Sequence, residues 1–168
     1  RYAFYTAQSY RDADMPEKAI EWYAKRANLG GWYEEVYYSL LQIALLKIEL
    51  NAPLDEVQNL LLAAYEYRPQ RAESLYHLAR QLRFHNKARL AYIYATVAAN
   101  IPLSKDILFV NHAVYEWKAK EELAMSANSV GNYQLCHDLC VELLFNPAVP
   151  EPNRKLLLDN LKLAKEYL

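Results

Sequence analysis

The residues best suited to metal or haem chemistry are two cysteines and a histidine near the end of the chain. Cys136, His137 and Cys140 form the sequence C-H-x-x-C. Covalent haem attachment uses C-x-x-C-H, and a structural zinc site needs four ligands. The cluster meets neither requirement. We therefore interpret both cysteines as reduced, small residues packed inside a helical core, and we expect no metal and no cofactor.

No other residues are arranged as in a catalytic centre. The chain has 3 glycines and no glycine-rich phosphate loop, and no serine stands in a strained elbow. The acidic pairs Glu34-Glu35 and Glu121-Glu122 lie at predicted helix starts or on predicted exposed faces, where the helix dipole and water stabilise carboxylates. We predict that this chain alone is not an enzyme.

Composition narrows the class of protein. Of 168 residues, 54% are hydrophobic and the formal net charge is −1. These values exclude a disordered chain and provide no overall field that attracts nucleic acid, so we expect no nucleic-acid partner. No run of about 18 apolar residues predicts a membrane span. Reduced cysteines favour a cytoplasmic protein, and the start at Arg1 indicates a fragment of a larger protein.

A helical repeat is the strongest pattern in the sequence. The stretch 53–69 begins with Pro53, carries Asp55 and Glu56 in its first turn, and ends before Pro69. Its apolar residues recur at three- and four-residue spacing, which is typical of an amphipathic helix. Four stretches share one pattern, a small or slim residue followed four positions later by a second packing residue: Ala19/Tyr23, Val57/Leu61, Ala91/Ala95 and Cys136/Cys140.

The spacing of these positions predicts the architecture. The first members of the four pairs are separated by 38, 34 and 45 residues, and a period of 34 built from paired helices is typical of tetratricopeptide repeats. We predict an all-α fold, a right-handed α-solenoid of about four tetratricopeptide-like helix pairs plus a C-terminal capping helix. We expect a single domain over 1–168, with repeats at about 1–31, 32–70, 71–102 and 112–147 and the cap at 150–168.

Residues 101–111 interrupt the repeat with a run of apolar side chains from Ile107 to Val110. Four exposed apolar residues in succession would favour aggregation. We therefore expect a loop that packs back on the helices. A binding site for a partner is the alternative.

The candidate binding surface lies on the first helix of each pair, because these helices line the concave side of a stacked solenoid. Aromatic rings and guanidinium groups on that side would suit peptides, carboxylates or sugars. By register, the surface contains Phe4, Gln8, Arg11, Gln42, Tyr76, Arg80 and Arg83.

A cluster of basic residues between positions 68 and 89 is a second candidate feature. It predicts either a basic patch that holds a ligand or a solvated face with one flank against a neighbouring domain. Six basic residues, Arg68, Arg71, Arg80, Arg83, Lys87 and Arg89, stand against the single acid Glu73.

Several stretches resemble one subgroup of tetratricopeptide proteins more closely than the general repeat. The chain is similar to the helical region attached to bacterial family-2 glycosyltransferases. The resemblance implies that the catalytic part, with its nucleotide-sugar and metal-binding acids, lies upstream of Arg1. The matching stretches are 2–13, 18–44 (with the run R-x-x-x-G-G-W-x-E-E from Arg26 to Glu35), 64–80, 90–95 and 106–117.

Two hypotheses about function follow. In the first, the chain is a non-catalytic scaffold module, the helical-repeat tail of a glycosyltransferase, and its concave face binds a protein or peptide partner, an acceptor or the adjoining glycosyltransferase domain. In the second, it is a free-standing adaptor that binds a peptide or protein partner. The chain also resembles tetratricopeptide proteins that clamp chaperone tails, but among the clamp positions only Arg80 is basic, so we do not expect that activity.

Overall fold

The computed structural model describes residues 1–168, and every regular element in it is helical. None of the helices combines the length and apolar character that a bilayer span requires. A π-helical segment, Val114–Lys118, leads directly into α7. The α-helices are α1 (Tyr2–Asp12), α2 (Pro16–Asn28), α3 (Tyr33–Glu49), α4 (Leu54–Tyr67), α5 (Glu73–Phe84), α6 (Ala88–Asn100), α7 (Ala119–Ser129), α8 (Tyr133–Leu144) and α9 (Glu151–Lys165).

The positions that define the repeat are buried in all four helix pairs. They lie on the second helix of each pair, in α2, α4, α6 and α8. Small side chains at such sites let neighbouring helices approach closely, because packed interiors leave little free volume. The repeat register predicted from the sequence is confirmed. The eight positions, each at most 2% exposed, are Ala19, Tyr23, Val57, Leu61, Ala91, Ala95, Cys136 and Cys140.

The turns inside the four pairs share one hydrogen-bonded geometry. Each contains a residue with positive φ after the first helix: Asp14 (55°), Asn51 (54°), Asn86 (58°) or Gly131 (81°). The residue that follows donates its backbone N–H to a carbonyl five positions back, over 2.8–2.9 Å in all four turns. This is the bonding of a Schellman cap, which satisfies carbonyls at the end of a helix. The repeat is therefore present in the turns as well as in the core.

The chain forms two compact units. Unit 1 comprises Arg1–Ser74 with Ser104–Val110, and unit 2 comprises Leu75–Leu103 with Asn111–Leu168. In unit 1, each helix from α1 to α4 packs on the next, and in unit 2 α6, α7, α8 and α9 pack in succession. Contact between consecutive helices is what a repeat architecture requires. The organisation of 1–168 as one domain stays a prediction.

The loop at 104–110 packs on unit 1. Asp106 forms an ion pair with Arg68, Leu108 packs against the buried cluster of the unit, and Phe109 lies against aromatic side chains. The loop is not a strand and not a helix. It is packed back on the helices, as expected from its apolar run.

A buried ion pair joins α2 to α3 in unit 1. Arg26 Nε donates to Glu35 Oε2 over 2.6 Å, and Arg26 Nη1 donates to the Gly30 carbonyl oxygen over 2.6 Å. Gly30 and Gly31 have φ values of 63° and 84°, which glycine adopts more readily than other residues. The run from Arg26 to Glu35, which carries the glycosyltransferase resemblance, builds this junction.

The acidic pairs are less exposed than predicted. Glu34 and Glu35 do lie in the first turn of α3, but both are buried, and so is Glu122 in α7. Buried carboxylates need hydrogen-bonded or charged partners. Arg26 pairs with Glu35, Arg83 pairs with Glu122, and backbone N–H groups of the 104–110 loop donate to Glu34. Both acidic pairs lie at helix starts, as predicted, but the expected solvation is wrong for Glu34, Glu35 and Glu122.

Three of the six residues in the predicted basic patch, Arg68, Arg71 and Arg83, are neutralised by acids. In unit 1, Arg71 is fully buried and its Nη2 lies 2.8 Å from Glu73 Oε1, while Arg68 pairs with Asp106. In unit 2, Arg83 pairs with a buried acid of α7. These guanidinium groups stabilise the fold and offer little charge to a ligand.

The two cysteines of α8 are buried free thiols, as predicted. Their sulfur atoms lie 4.0 Å apart, and burial raises the pKa of Cys140 to about 12, so its thiol stays protonated at neutral pH. His137 contacts Asp138 at the surface. No group of three or more histidine, cysteine or acidic side chains in the chain is arranged to hold a metal ion.

The final helix, α9, packs on α8 and α7 of unit 2. Leu157 and Ala164, which lie at helical spacing, are buried. Leu168 is exposed, because α9 ends at Lys165 and the helical spacing does not continue to it.

Candidate functional site

Unit 2 contains a cleft with a volume of about 440 Å³ between side chains of α5, the π segment, α7 and α9. Its lining combines cations, acids and apolar side chains in one small volume, so it offers both charged and apolar contacts. The residues that line the cleft are Tyr76, Arg80, Arg83, Phe84, Trp117, Lys118, Glu121, Glu122, Met125, Asn153 and Leu156.

One wall of the cleft is formed by α5 from Tyr76 to Phe84. Tyr76 and Arg80 are one turn apart, and Arg80 Nη1 donates to Tyr76 Oη over 3.2 Å. The Arg80 guanidinium carbon lies 5.3 Å from the ring centroid of Phe84, within the range of a cation–π contact. Burial raises the pKa of Tyr76, so its hydroxyl stays neutral. The arrangement holds an exposed guanidinium in a defined position above an exposed ring.

The floor of the cleft is a bidentate ion pair. Arg83 Nε and Nη2 donate to the two carboxylate oxygens of Glu122 over 2.7 and 3.0 Å. Removal of one partner should cost more stability than the loss of a surface salt bridge, because it leaves a buried or bidentate charge unpaired. The guanidinium group of Arg83 is therefore already paired with Glu122, and it is poorly placed to bind a ligand.

The opposite wall begins in the π segment. Trp117 is buried, and Lys118 Nζ lies 5.6 Å from its ring centroid. A π turn adds one residue to a helical turn and so changes the direction of the side chains around it. Here it leads into α7 and brings Trp117 and Lys118 to the lining of the same cleft as Arg80.

Two cations of the cleft form no ion pair. Arg80 donates to the Tyr76 hydroxyl and lies over the Phe84 ring, and Lys118 lies near the Trp117 ring. Glu121 in the same cleft attracts Arg80 electrostatically but is not hydrogen-bonded to it. The exposed apolar side chains of Phe84 and Leu156 line the same cleft. The cleft can therefore accept a carboxylate together with an apolar side chain.

The carboxyl group of Glu121 has a raised pKa in this cleft. Burial and then repulsion from Glu122 raise its pKa above the ordinary value of 4.5, although Asn153 Nδ2 donates to its Oε1 over 2.8 Å. Between pH 4.5 and the raised pKa, the folded chain binds more protons than the unfolded chain. The stability that this proton provides is lost as the pH rises through the folded pKa.

Substitution of Glu121 and of Glu122 by glutamine should therefore change the free energy of unfolding in opposite directions. We expect Glu121→Gln to raise the free energy of unfolding slightly at pH 7, because the buried charge is removed and the bond from Asn153 is kept. Glu122→Gln should lower it by about 1–3 kcal/mol, because Arg83 loses a charged acceptor. Urea unfolding at pH 5 and pH 7.5 measures both effects. If Glu121→Gln and Glu122→Gln lose equal stability at pH 7.5, the charge of Glu121 is not unfavourable in the folded chain, and this account is contradicted.

The candidates predicted on the concave face are divided between the two units. Tyr76, Arg80 and Arg83 line the unit-2 cleft together. Arg11 lies in unit 1, where its Nη1 donates to Tyr38 Oη over 2.9 Å. Gln8 and Gln42 are half-buried residues of unit 1.

Phe4 has a position different from the predicted one. It is 2% exposed and belongs to the buried cluster of unit 1, because Tyr23, Tyr38 and Phe109 surround its ring. The register placed Phe4 on a binding face, but the 104–110 loop covers that face. A ligand can reach Phe4 only where the loop is absent.

Seven of the eleven residues that line the cleft were missed by reasoning from the sequence. The missed residues follow the interrupted part of the repeat, where the π segment shifts the helical register and no periodic pattern places them. Asn153 and Leu156 lie on the capping helix, which was interpreted only as a cover. The residues concerned are Trp117, Lys118, Glu121, Glu122, Met125, Asn153 and Leu156.

Two crystal structures with a similar fold decide the fold class. One is that of the nearly identical TPR-like repeats of a Podosopora anserina putative kinesin light chain, with a TM-score of 0.64, 16% identity, and coverage of 99% of this chain and 85% of that chain. The fold is that of a tetratricopeptide-like repeat protein. A variant of the same protein matches with a TM-score of 0.67 at the same identity and coverage. The prediction of an all-α tetratricopeptide-like solenoid is confirmed.

The similarity to these structures extends to the fold alone, because the identity is 16%. No protein-family model matches the sequence, and no curated protein matches it significantly. Tetratricopeptide-like folds are typical of protein-interaction modules.

Proposed function

We propose that this chain is a protein-interaction module whose unit-2 cleft binds a peptide segment carrying a carboxylate beside an apolar side chain. One observation carries the proposal: Arg80 and Lys118 line the cleft without forming an ion pair, next to the exposed side chains of Phe84 and Leu156. The Arg80 fork suits a carboxylate, and the apolar residues suit the neighbouring side chain.

Charge removal at the cleft should weaken this binding without unfolding the chain. Peptides are first selected on the wild-type protein from a random library and then measured by calorimetry. We expect the double variant Arg80→Ala/Lys118→Ala to bind them at least about ten-fold more weakly, equivalent to about 1.4 kcal/mol. Neither side chain has an ion pair in the fold, so the thermal midpoint should stay near that of the wild type.

The matched control is Lys87→Ala/Arg89→Ala, which removes the same charge from two exposed residues of unit 2 outside the cleft. We expect binding within about two-fold of the wild type in this control, because exposed charges act weakly in physiological salt. Equal losses in both double variants, or none in the first, would exclude the cleft as the binding site. Arg83 is unsuitable for this test, because its removal leaves a buried Glu122 unpaired.

A finer proposal follows from the sequence resemblance: the module is the helical tail of a larger bacterial glycosyltransferase, and the cleft binds an acceptor, a partner or the catalytic domain. An antibody against this chain tests it on a lysate of the source organism. A native protein larger by about 200–250 residues, with nucleotide-sugar turnover lowered by Arg80→Ala/Lys118→Ala, is the expected result. A native protein close to 19.6 kDa would instead support the free-standing adaptor.

A further inference from the structure

The 104–110 loop is held in unit 1 by contacts of the kind that hold a bound peptide. Glu34 Oε2 accepts the backbone N–H groups of Ile107 and Leu108 over 2.8 and 2.7 Å. Arg71 donates to the carbonyl oxygens of Leu108 and Phe109 over 3.3 and 3.2 Å. The buried side chains of Glu34, at the start of α3, and Arg71, before α5, thus form hydrogen bonds with both N–H and carbonyl groups of the loop backbone.

The side chains of the loop occupy three separate places in unit 1. Asp106 lies between the guanidinium groups of Arg68 and Arg71. Leu108 packs against the buried cluster of α1, α2 and α3. The ring of Phe109 lies 4.8 Å from that of Tyr38 and 6.4 Å from that of Phe4, between centroids. Unit 1 therefore contacts an acidic residue, an apolar residue two positions later and an aromatic residue three positions later.

The loop fits these places imperfectly. Phe109 has a φ of 45°, a left-handed conformation that disfavours side chains with a Cβ. Phe109 remains 53% exposed, and Ile107 is 82% exposed. The carboxylate of Asp106 is buried in its place. Phe109 is only half covered, and its backbone conformation is strained. A peptide whose ends are not fixed in the chain can use the same contacts without that strain.

We propose that unit 1 contains a second peptide-binding site, which the 104–110 loop fills in cis and which a partner segment of the form acidic–x–apolar–aromatic occupies in trans. The site consists of Glu34, Arg68, Arg71, Phe4 and Tyr38, and it is separate from the unit-2 cleft. It takes a peptide because its contacts are made to a peptide backbone and to side chains at fixed spacing.

The 104–110 loop competes with a trans peptide for the unit-1 site and so lowers the apparent affinity of that peptide. A tethered segment has an effective concentration of about millimolar, and a site that is free for only a small fraction of the time binds a partner more weakly by that fraction. The wild-type chain should therefore bind a trans peptide weakly, and removal of the loop contacts should strengthen the binding.

The test uses a fluorescent peptide with the sequence of residues 104–111 and the full chain with positions 104–110 replaced by seven alternating glycine and serine residues. Circular dichroism checks the helix content, and fluorescence anisotropy measures the binding. If the replacement does not fold, the full chain with Asp106→Ala/Phe109→Ala takes its place. Control peptides carry alanine at the position of Asp106 or of Phe109.

We expect the loop-replaced chain to bind the peptide at least about ten-fold more tightly than the wild type. Addition of Arg68→Ala should abolish the gain, Arg89→Ala, which removes an exposed charge outside both sites, should leave it unchanged, and both control peptides should bind weakly. Absence of binding to a folded loop-free chain overturns the proposal. Equal binding to the wild type, or a gain that persists after Arg68→Ala, also overturns it.

Discussion

Replacement of Arg71 by alanine is expected to lower the free energy of unfolding by about 3–5 kcal/mol. The Arg71 side chain is fully buried, and it pairs with both Glu73 and Asp106, which are also inaccessible. Its removal leaves two buried carboxylates with fewer partners and withdraws two donors from carbonyl oxygens of the 104–110 loop. Uncompensated buried charge is among the most destabilising changes a fold can contain.

Urea unfolding followed by circular dichroism measures this loss. The control is Lys25→Ala, which removes a cation whose partner Glu21 is exposed, so the expected change is below about 1 kcal/mol. Similar unfolding midpoints for the two variants would show that the Arg71 network contributes no more than a surface pair. The loop assignment in unit 1 would then lose its energetic basis.

Arg26→Ala is expected to have an effect of similar size, about 3–5 kcal/mol. The side chains of Arg26 and Glu35 are 6% and 5% exposed, so alanine leaves a carboxylate buried without its partner. The Gly30 carbonyl at the end of α2 also loses its donor. Arg26→Lys should recover only part of the loss, because an ammonium group cannot reach two acceptors with the geometry of a guanidinium fork.

A double variant separates charge burial from packing at this junction. Arg26→Met/Glu35→Leu removes both charges and should be markedly more stable than Arg26→Ala, because replacing a buried pair by apolar residues is often nearly neutral. Urea unfolding of the single and double variants forms a cycle that gives the coupling between the two residues. Additive effects in this cycle would contradict a direct buried pair.

The helices and the repeat register could be predicted from the sequence because they depend on local spacing. Small residues at Ala19, Ala91 and Cys136 recur with the helix pairs, and the structure buries all of them. The turns carried a signal that sequence reasoning did not use. Asp14, Asn51, Asn86 and Gly131, which tolerate positive φ, recur at the same place in each pair.

The partners of the charged residues could not be predicted, because they are far apart in the sequence. Arg83 and Glu122 are separated by 39 positions, and Arg68 and Asp106 by 38. A local count of charges therefore gave a basic patch and solvated acids where the fold forms buried pairs. The net charge of a segment does not show which charges face water when the opposite charge comes from another element.

The candidate site was predicted only where it lies on a regular first helix. Tyr76 and Arg80 on α5 follow the repeat, and their place in the cleft agrees with their register. Trp117 and Lys118 follow the insertion and lie in a π-helical turn, whose spacing differs from that of an α-helix. Phe4 was placed correctly on α1, but its cover comes from a loop more than one hundred residues later in the chain.

Amide hydrogen exchange of the wild-type chain, with and without a peptide selected from the library, tests the central claim most directly. The account predicts increased protection in α5, in the segment from Val114 through α7, and at the start of α9, because these elements form the cleft. The protection should disappear in Arg80→Ala/Lys118→Ala. Protection that is confined to unit 1, or that persists in the double variant, would contradict the assignment of the unit-2 cleft as the binding site.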